Sequence, residues 1–160
     1  MMASLIPEEE MLYRNLLLVL HIAAAGAWLG ANILQAIIPG ILGPVSPAAA
    51  KWFRATEKLS RSFYIPVGVT VLVTGILLVL HSTVYGFGSV FVTIGFAAVI
   101  IGAVLGSTVF GPKSTEIAEA IESGDNERAN RVRATTGQFG VLDTLVVLFT
   151  IYAMVSKLGA

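Results

Sequence analysis

The sequence predicts an all-α, polytopic membrane protein: a four-transmembrane-helix bundle with short amphipathic cytoplasmic helices. Three observations predict it. Charged residues make up only 12% of the 160, and the mean hydropathy is +0.83, whereas a water-facing globular domain carries roughly a quarter charged residues. Four apolar runs reach the ~20 residues a helix needs to cross the hydrocarbon layer. Lysine and arginine fall almost entirely in two of the connections between those runs.

The length suits a single membrane domain, residues 1–160. The first span runs from about 13 to 39, where Pro39-Gly40 ends or bends it, because proline removes a backbone donor and crowds the preceding turn. The N-terminal stretch, with Glu8, Glu9 and Glu10, lacks the basic region and cleavage site of a signal peptide, so the first run is kept as structure. Gly43-Pro44-Val45-Ser46-Pro47 then reads as a turn, with Ser46 as N-cap and Pro47 at the first helical position. Residues 48–60 read as an amphipathic helix whose Trp52 and Phe53, beside Lys51, Arg54 and Lys58, suit the headgroup layer. The second and third spans, about 63–83 and 87–110, are joined by a few residues and must be antiparallel neighbours. The segment 113–136 reads as two short helices split at Ser123-Gly124-Asp125, and the last span is about 139–156.

Orientation follows from charge. The connections 43–61 and 113–136 carry Lys51, Arg54, Lys58, Arg61, Lys113, Arg128, Arg131 and Arg133; the other side carries Arg14 and Lys157. Eight against two places both basic connections in the cytoplasm and both termini outside. A bacterial inner membrane is the expected location, with the lipid bilayer as the first partner. The net charge is zero, so total charge suggests no nucleic-acid partner, and the absence of cysteine excludes disulfides and thiolate metal sites.

Residues seven and eleven apart share a helix face. The first span thereby aligns Arg14, His21, Trp28 and Asn32, with Gln35 nearby; the second Thr70, Thr74 and His81; the third Gly95, Gly102 and Gly106; the fourth Asp143, Thr150 and Met154. Polar groups in a membrane face protein, so these stripes are expected to face one another. The glycines, with Gly26 and Gly30, serve close packing first, and a homodimer contact through such faces second.

The polar residues divide into two sets. Toward the outer side lie the two histidines, His21 and His81, with Arg14, Lys157 and Met154. Imidazoles on facing helices ligate haem iron, and Arg14 and Lys157 are the cations available for haem propionates, with Trp28 against the macrocycle. The plain alternatives are a histidine that hydrogen-bonds a backbone carbonyl or a threonine, a packing role for Trp28 and Met154, and a snorkelling Lys157. Toward the inner side lie Asn32, Gln35 and Asp143. Asp143 is expected to accept hydrogen bonds from Asn32 or Gln35, to act as an interfacial cap, or to relay protons.

The run His21-Ile22-Ala23-Ala24-Ala25-Gly26-Ala27-Trp28-Leu29-Gly30 resembles the first helix of the copper-resistance D (CopD) family and of HemJ-type protoporphyrinogen oxidases. It is also similar to the membrane domain of bacterial urate oxidases. The likeness extends loosely to four spans, Thr74-Gly75 in the second and Gly111-Pro112 at the end of the third. It implies that His21 is a haem ligand. The lysine common near the start of the third helix in such families has no counterpart here. The leading expectation is a haem-b protein of redox or electron-transfer type, ligated by His21 and His81 and served by an electron donor or acceptor. One alternative is CopD-like copper handling by His21, His81, Met11 and Met154. The other is a cofactor-free scaffold that docks a cytoplasmic partner on 113–136.

Overall fold

The computed structural model describes residues 8–160; the first seven residues, which include part of the stretch read for a signal peptide, lie outside the described residues. The described residues form only helices, in the order α1 (Glu8–Ile41), α2 (Pro47–Leu59), a π-turn (Ser60–Tyr64), α3 (Ile65–Leu80), α4 (Val90–Leu105), a second π-turn (Gly106–Phe110), α5 (Gly111–Glu122) and α6 (Asn126–Ser156). The π-turns join their neighbours without a break, so the chain makes four long helices: Glu8–Ile41, Pro47–Leu80, Val90–Glu122 and Asn126–Ser156. All four are long and apolar enough to cross a membrane, which gives the architecture of a polytopic membrane protein.

Within the bundle α1 packs on α3 and α6, and α4 on α6 and α3. Leu12, Leu16, Val19, Ile22, Ile100, Leu145 and many other large apolar residues are exposed. In water such a surface would aggregate; around a membrane bundle it is the lipid-facing side.

The helices are longer than a bilayer requires. At about 1.5 Å per residue, 31–34 residues span roughly 50 Å, against a hydrocarbon core of about 30 Å. In the last three long helices the excess stands at the basic end, where α2, α5 and the start of α6 form an extension with its own core. Ala49, Ala50, Phe53, Ile117, Ala118, Ala120, Ile121 and Ala129 are buried there, with Trp52, Val45 and Val132 packed against them. The helix expected at 48–60 is present as α2, and its apolar side meets protein. That segment runs straight into the second span, Phe53 is buried against α5, and Trp52 is only half-exposed, because α5 offers an apolar face that lipid headgroups cannot.

Local chemistry explains the joints. Ser46 caps α2 by accepting from the Ala49 N–H at 3.1 Å, and Gly43 takes φ +86° in the turn before it. Gly124, at φ +78°, and Asp125, which accepts from the Arg128 N–H at 3.0 Å, separate α5 from α6. Each π-turn precedes a proline, Pro66 or Pro112, and closes with an N–H to the carbonyl five residues back: Ile65 to Ser60 and Gly111 to Gly106. A proline ring clashes with the carbonyl four residues before it, and the wider turn relieves that clash.

Candidate functional site

The four stripes meet inside the bundle. His21 Nδ1 lies 2.9 Å from Thr74 Oγ1. The threonine's single proton is already given to the Thr70 carbonyl at 2.5 Å. The histidine must therefore donate, which places the proton of the neutral ring on Nδ1 and the lone pair on Nε2. Gly75 makes room for the ring: a Cβ there would stand 3.2 Å from His21 Cε1. Thr74 is itself buried, so the ring is held by a fixed partner on one edge.

His81 sits elsewhere. It is the C-cap of α3, exposed, and donates from Nδ1 to the Leu77 carbonyl at 2.9 Å. Its ring meets Tyr13 edge-on, centroids 5.0 Å apart. Tyr13 lies eight residues from His21, and His81 seven from Thr74, so the two imidazoles stand about 10–12 Å apart along the bundle axis. The structure does not bring them together as a facing pair. Both stand toward the outer side, but at different levels, because α1 continues to Glu8 while α3 stops at Leu80.

The remaining outer residues also separate. Arg14 is exposed on α1, two turns above His21. Lys157 caps α6 in the left-handed conformation, and its ammonium stands 4.8 Å from the Tyr85 ring centroid and 5.7 Å from that of Phe91. Met154 packs its methyl group over Gly95, and Met11 is exposed on α1. Neither methionine joins His21, and the described residues contain no group of three or more His, Cys, Asp or Glu side chains that would hold a metal ion. As a haem site, the residues fit a single protein ligand, Nε2 of His21, and do not fit a His21–His81 pair.

Below His21, Trp28 is buried, and the six-membered ring of its indole occupies the space left by the absent side chain of Gly102. One turn further, the inner set converges. Asn32 Nδ2 donates to Asp143 Oδ2 at 2.7 Å, Tyr64 OH to Asn32 Oδ1 at 3.2 Å, and Gln35 Nε2 to Tyr64 OH at 2.6 Å. Asn32, as expected, meets Asp143; Gln35 reaches the carboxylate only through Tyr64, which sequence reading did not single out. Two amides on one face of a membrane helix need more acceptors and donors than one carboxylate supplies, which signals a further partner without identifying it as Tyr64. Asp143 is only 3% exposed and lies within α6, away from its ends, so it is a buried group of the helix interior.

An almost entirely apolar groove opens between α4 and α6, lined by Ile94, Ala98, Ile101, Leu145, Phe149 and Thr150 among others. It contains no histidine and lies apart from the polar column.

No family model matches the chain, and no curated protein or solved structure is significantly similar to it.

Proposed function

We propose that the chain is a haem-b-binding membrane protein of redox type, with His21 as the protein ligand to the iron. The observation that supports this reading is the state of the His21 ring. Its Nδ1–H is directed at a buried threonine and the ring also reaches the Val71 carbonyl; these contacts hold the imidazole and, in this tautomer, leave Nε2 as the lone-pair donor. Ligating histidines are held in this way, the second nitrogen donating to a fixed acceptor that sets tautomer and angle. The resemblance of His21 to Gly30 to the CopD and HemJ-type first helix points the same way. Haem would supply one-electron chemistry; His21 would bind and orient it, and Thr74 and Gly75 would hold His21. In this reading the basic end faces the cytoplasm, by the excess of lysine and arginine there.

The test is an absorption spectrum of the detergent-purified protein from haem-supplied cells, oxidised and dithionite-reduced. With His21 as the sole protein ligand, the reduced haem is high-spin and takes up carbon monoxide. Sharp low-spin α and β bands would restore a second ligand. His21→Ala should abolish haem retention, and a fully loaded mutant sinks the proposal.

A second reading has its own support. The bond from His21 to Thr74 and the chain from Gln35 to Asp143 partner the polar side chains of the α1 stripe from His21 onward without any cofactor. A cofactor-free scaffold would show a featureless visible spectrum and tolerate His21→Asn, which keeps a donor for Thr74.

A further inference from the structure

The inner polar cluster has a direction. Gln35 donates to Tyr64, Tyr64 to Asn32, and Asn32 to Asp143. Every donor points toward the carboxyl group, which is the terminal acceptor. Bonds aligned head to tail in a low dielectric polarise one another, so the chain concentrates its donor character on Asp143 Oδ2.

The other oxygen is open. Asp143 Oδ1 is buried and has no hydrogen-bond partner. The Trp28 indole N–H is directed at the carboxyl group and is the further donor within reach of it, although it forms no bond of full geometry to Oδ1. An acceptor left unmet in a dry interior costs about 1–3 kcal/mol, and native proteins keep few of them.

The surroundings limit what fills it. From α1 come Trp28, Asn32 and Gln35; from the first π-turn comes Tyr64; α4 and the second π-turn contain no ionisable side chain. No lysine or arginine among the described residues pairs with Asp143, since every ion pair there lies in the basic-end extension. Tyr64 is thus the one other titratable group facing it, and its proton is committed to Asn32. The partner that a closed pocket of this kind admits is the smallest one.

We infer that Asp143 is a proton-binding site within the membrane, Oδ1 taking up and releasing a proton while the Asn32–Tyr64–Gln35 chain holds Oδ2. On loading, an O–H bond forms at Oδ1 and the carboxylate becomes a carboxylic acid. No bond of the chain breaks, because Oδ2 still accepts from Asn32. On release, the negative charge is left facing the three aligned donors. The site is independent of His21, which lies eleven residues further along α1 from Asn32. A carboxylate that only cross-linked α1 to α6 would keep one protonation state throughout.

The sequence makes the site separable. The chain has two aspartates, Asp125 and Asp143. Asp125→Asn preserves the N-cap of α6, for asparagine caps as well as aspartate, and leaves Asp143 as the sole aspartate. The full-length D125N chain, with heavy carbon in its aspartate carboxyl group, is reconstituted in vesicles, and its infrared spectrum is followed against pH in light and heavy water. The expected result is an isotope-shifted carboxylic-acid band that moves in heavy water and converts to the carboxylate band as pH rises. Tyr64→Phe, which cuts the chain two links away, should displace that conversion. A labelled carboxyl group found in one form at every pH overturns the proposal and leaves Asp143 a static cross-link.

Discussion

The amide of Asn32 donates a 2.7 Å hydrogen bond to Asp143, tying α1 to α6 across 111 residues of sequence. Hydrogen bonds between membrane helices contribute modestly on average, about 0.6 kcal/mol and up to about 1.7. This one should stand at the upper end, because it is the last link of a chain whose members have no water to fall back on. Asn32→Leu is expected to destabilise the bundle by about 1–2 kcal/mol. The Asn32→Leu/Asp143→Leu double variant should be more stable than the sum of the two changes, since it removes both unpaired groups together. Unfolding equilibria in mixed micelles measure both effects. Strict additivity would mean that the two side chains do not depend on each other.

Gly102 and Gly106 give an internal control on packing. A methyl group on Gly102 would overlap the six-membered ring of the Trp28 indole, whereas one on Gly106 meets nothing within 4 Å. The indole is wedged among buried neighbours and cannot swing aside at low cost. Gly102→Ala should therefore destabilise the bundle by about 1–3 kcal/mol, the usual penalty of overpacking. Gly106→Ala should be close to neutral. Thermal melts followed by near-ultraviolet circular dichroism, which reports on Trp28, distinguish the two. Equal losses would place the indole elsewhere.

The four spans, the turn before α2 and the break at Gly124-Asp125 were legible because each rests on local rules: run length, capping and the freedom of glycine. So were the facing stripes, since His21 meets Thr74, Trp28 meets Gly102, Asn32 meets Asp143 and Met154 meets Gly95. Tyr64 was not legible. It ends a π-turn, and a 3.6-residue period cannot carry the phase of α3 back through a wider turn to reach it. The relative levels of the histidines were not legible for a related reason. Apolar run length shows which side they stand on, whereas helix ends are set by capping and tertiary contacts, and these differ between α1 and α3. The extension escaped notice because alanines such as Ala49, Ala118 and Ala129 carry little hydrophobic signal, although they let the helices approach closely.

That extension makes a separate prediction. Ile117 has no exposed surface, and Trp52 packs against the same cluster. Ile117→Ala should destabilise the extension by about 2–5 kcal/mol, the range for large-to-small changes in a packed core, while the spans remain folded. Limited proteolysis should then cut within α2 or α5, leaving an intact bundle. Lipids brominated near the headgroup should quench Trp52 weakly in the unmodified protein. Strong quenching would return Trp52 to the membrane surface.

The extension should also respond to acid. Hydrogen bonds from Lys113 and Arg128 hold Glu116 below the ordinary carboxylate range, and the Arg54 guanidinium, 2.7 Å from Glu122, does the same for that residue. A carboxylate whose folded value is lowered contributes stability that is fully present above its unfolded value and is lost as pH falls through the folded one. The loss therefore begins below the usual glutamate range and grows as the solution becomes more acidic. These pairs are solvent-exposed, so each is individually weak and screened by salt. Their joint loss should appear as faster amide exchange in α2 and α5 at acid pH, partly mimicked at neutral pH by high salt, with the apolar spans unaffected. Exchange that stays slow in acid would show that the alanine-rich core, and not the ion pairs, holds the extension together.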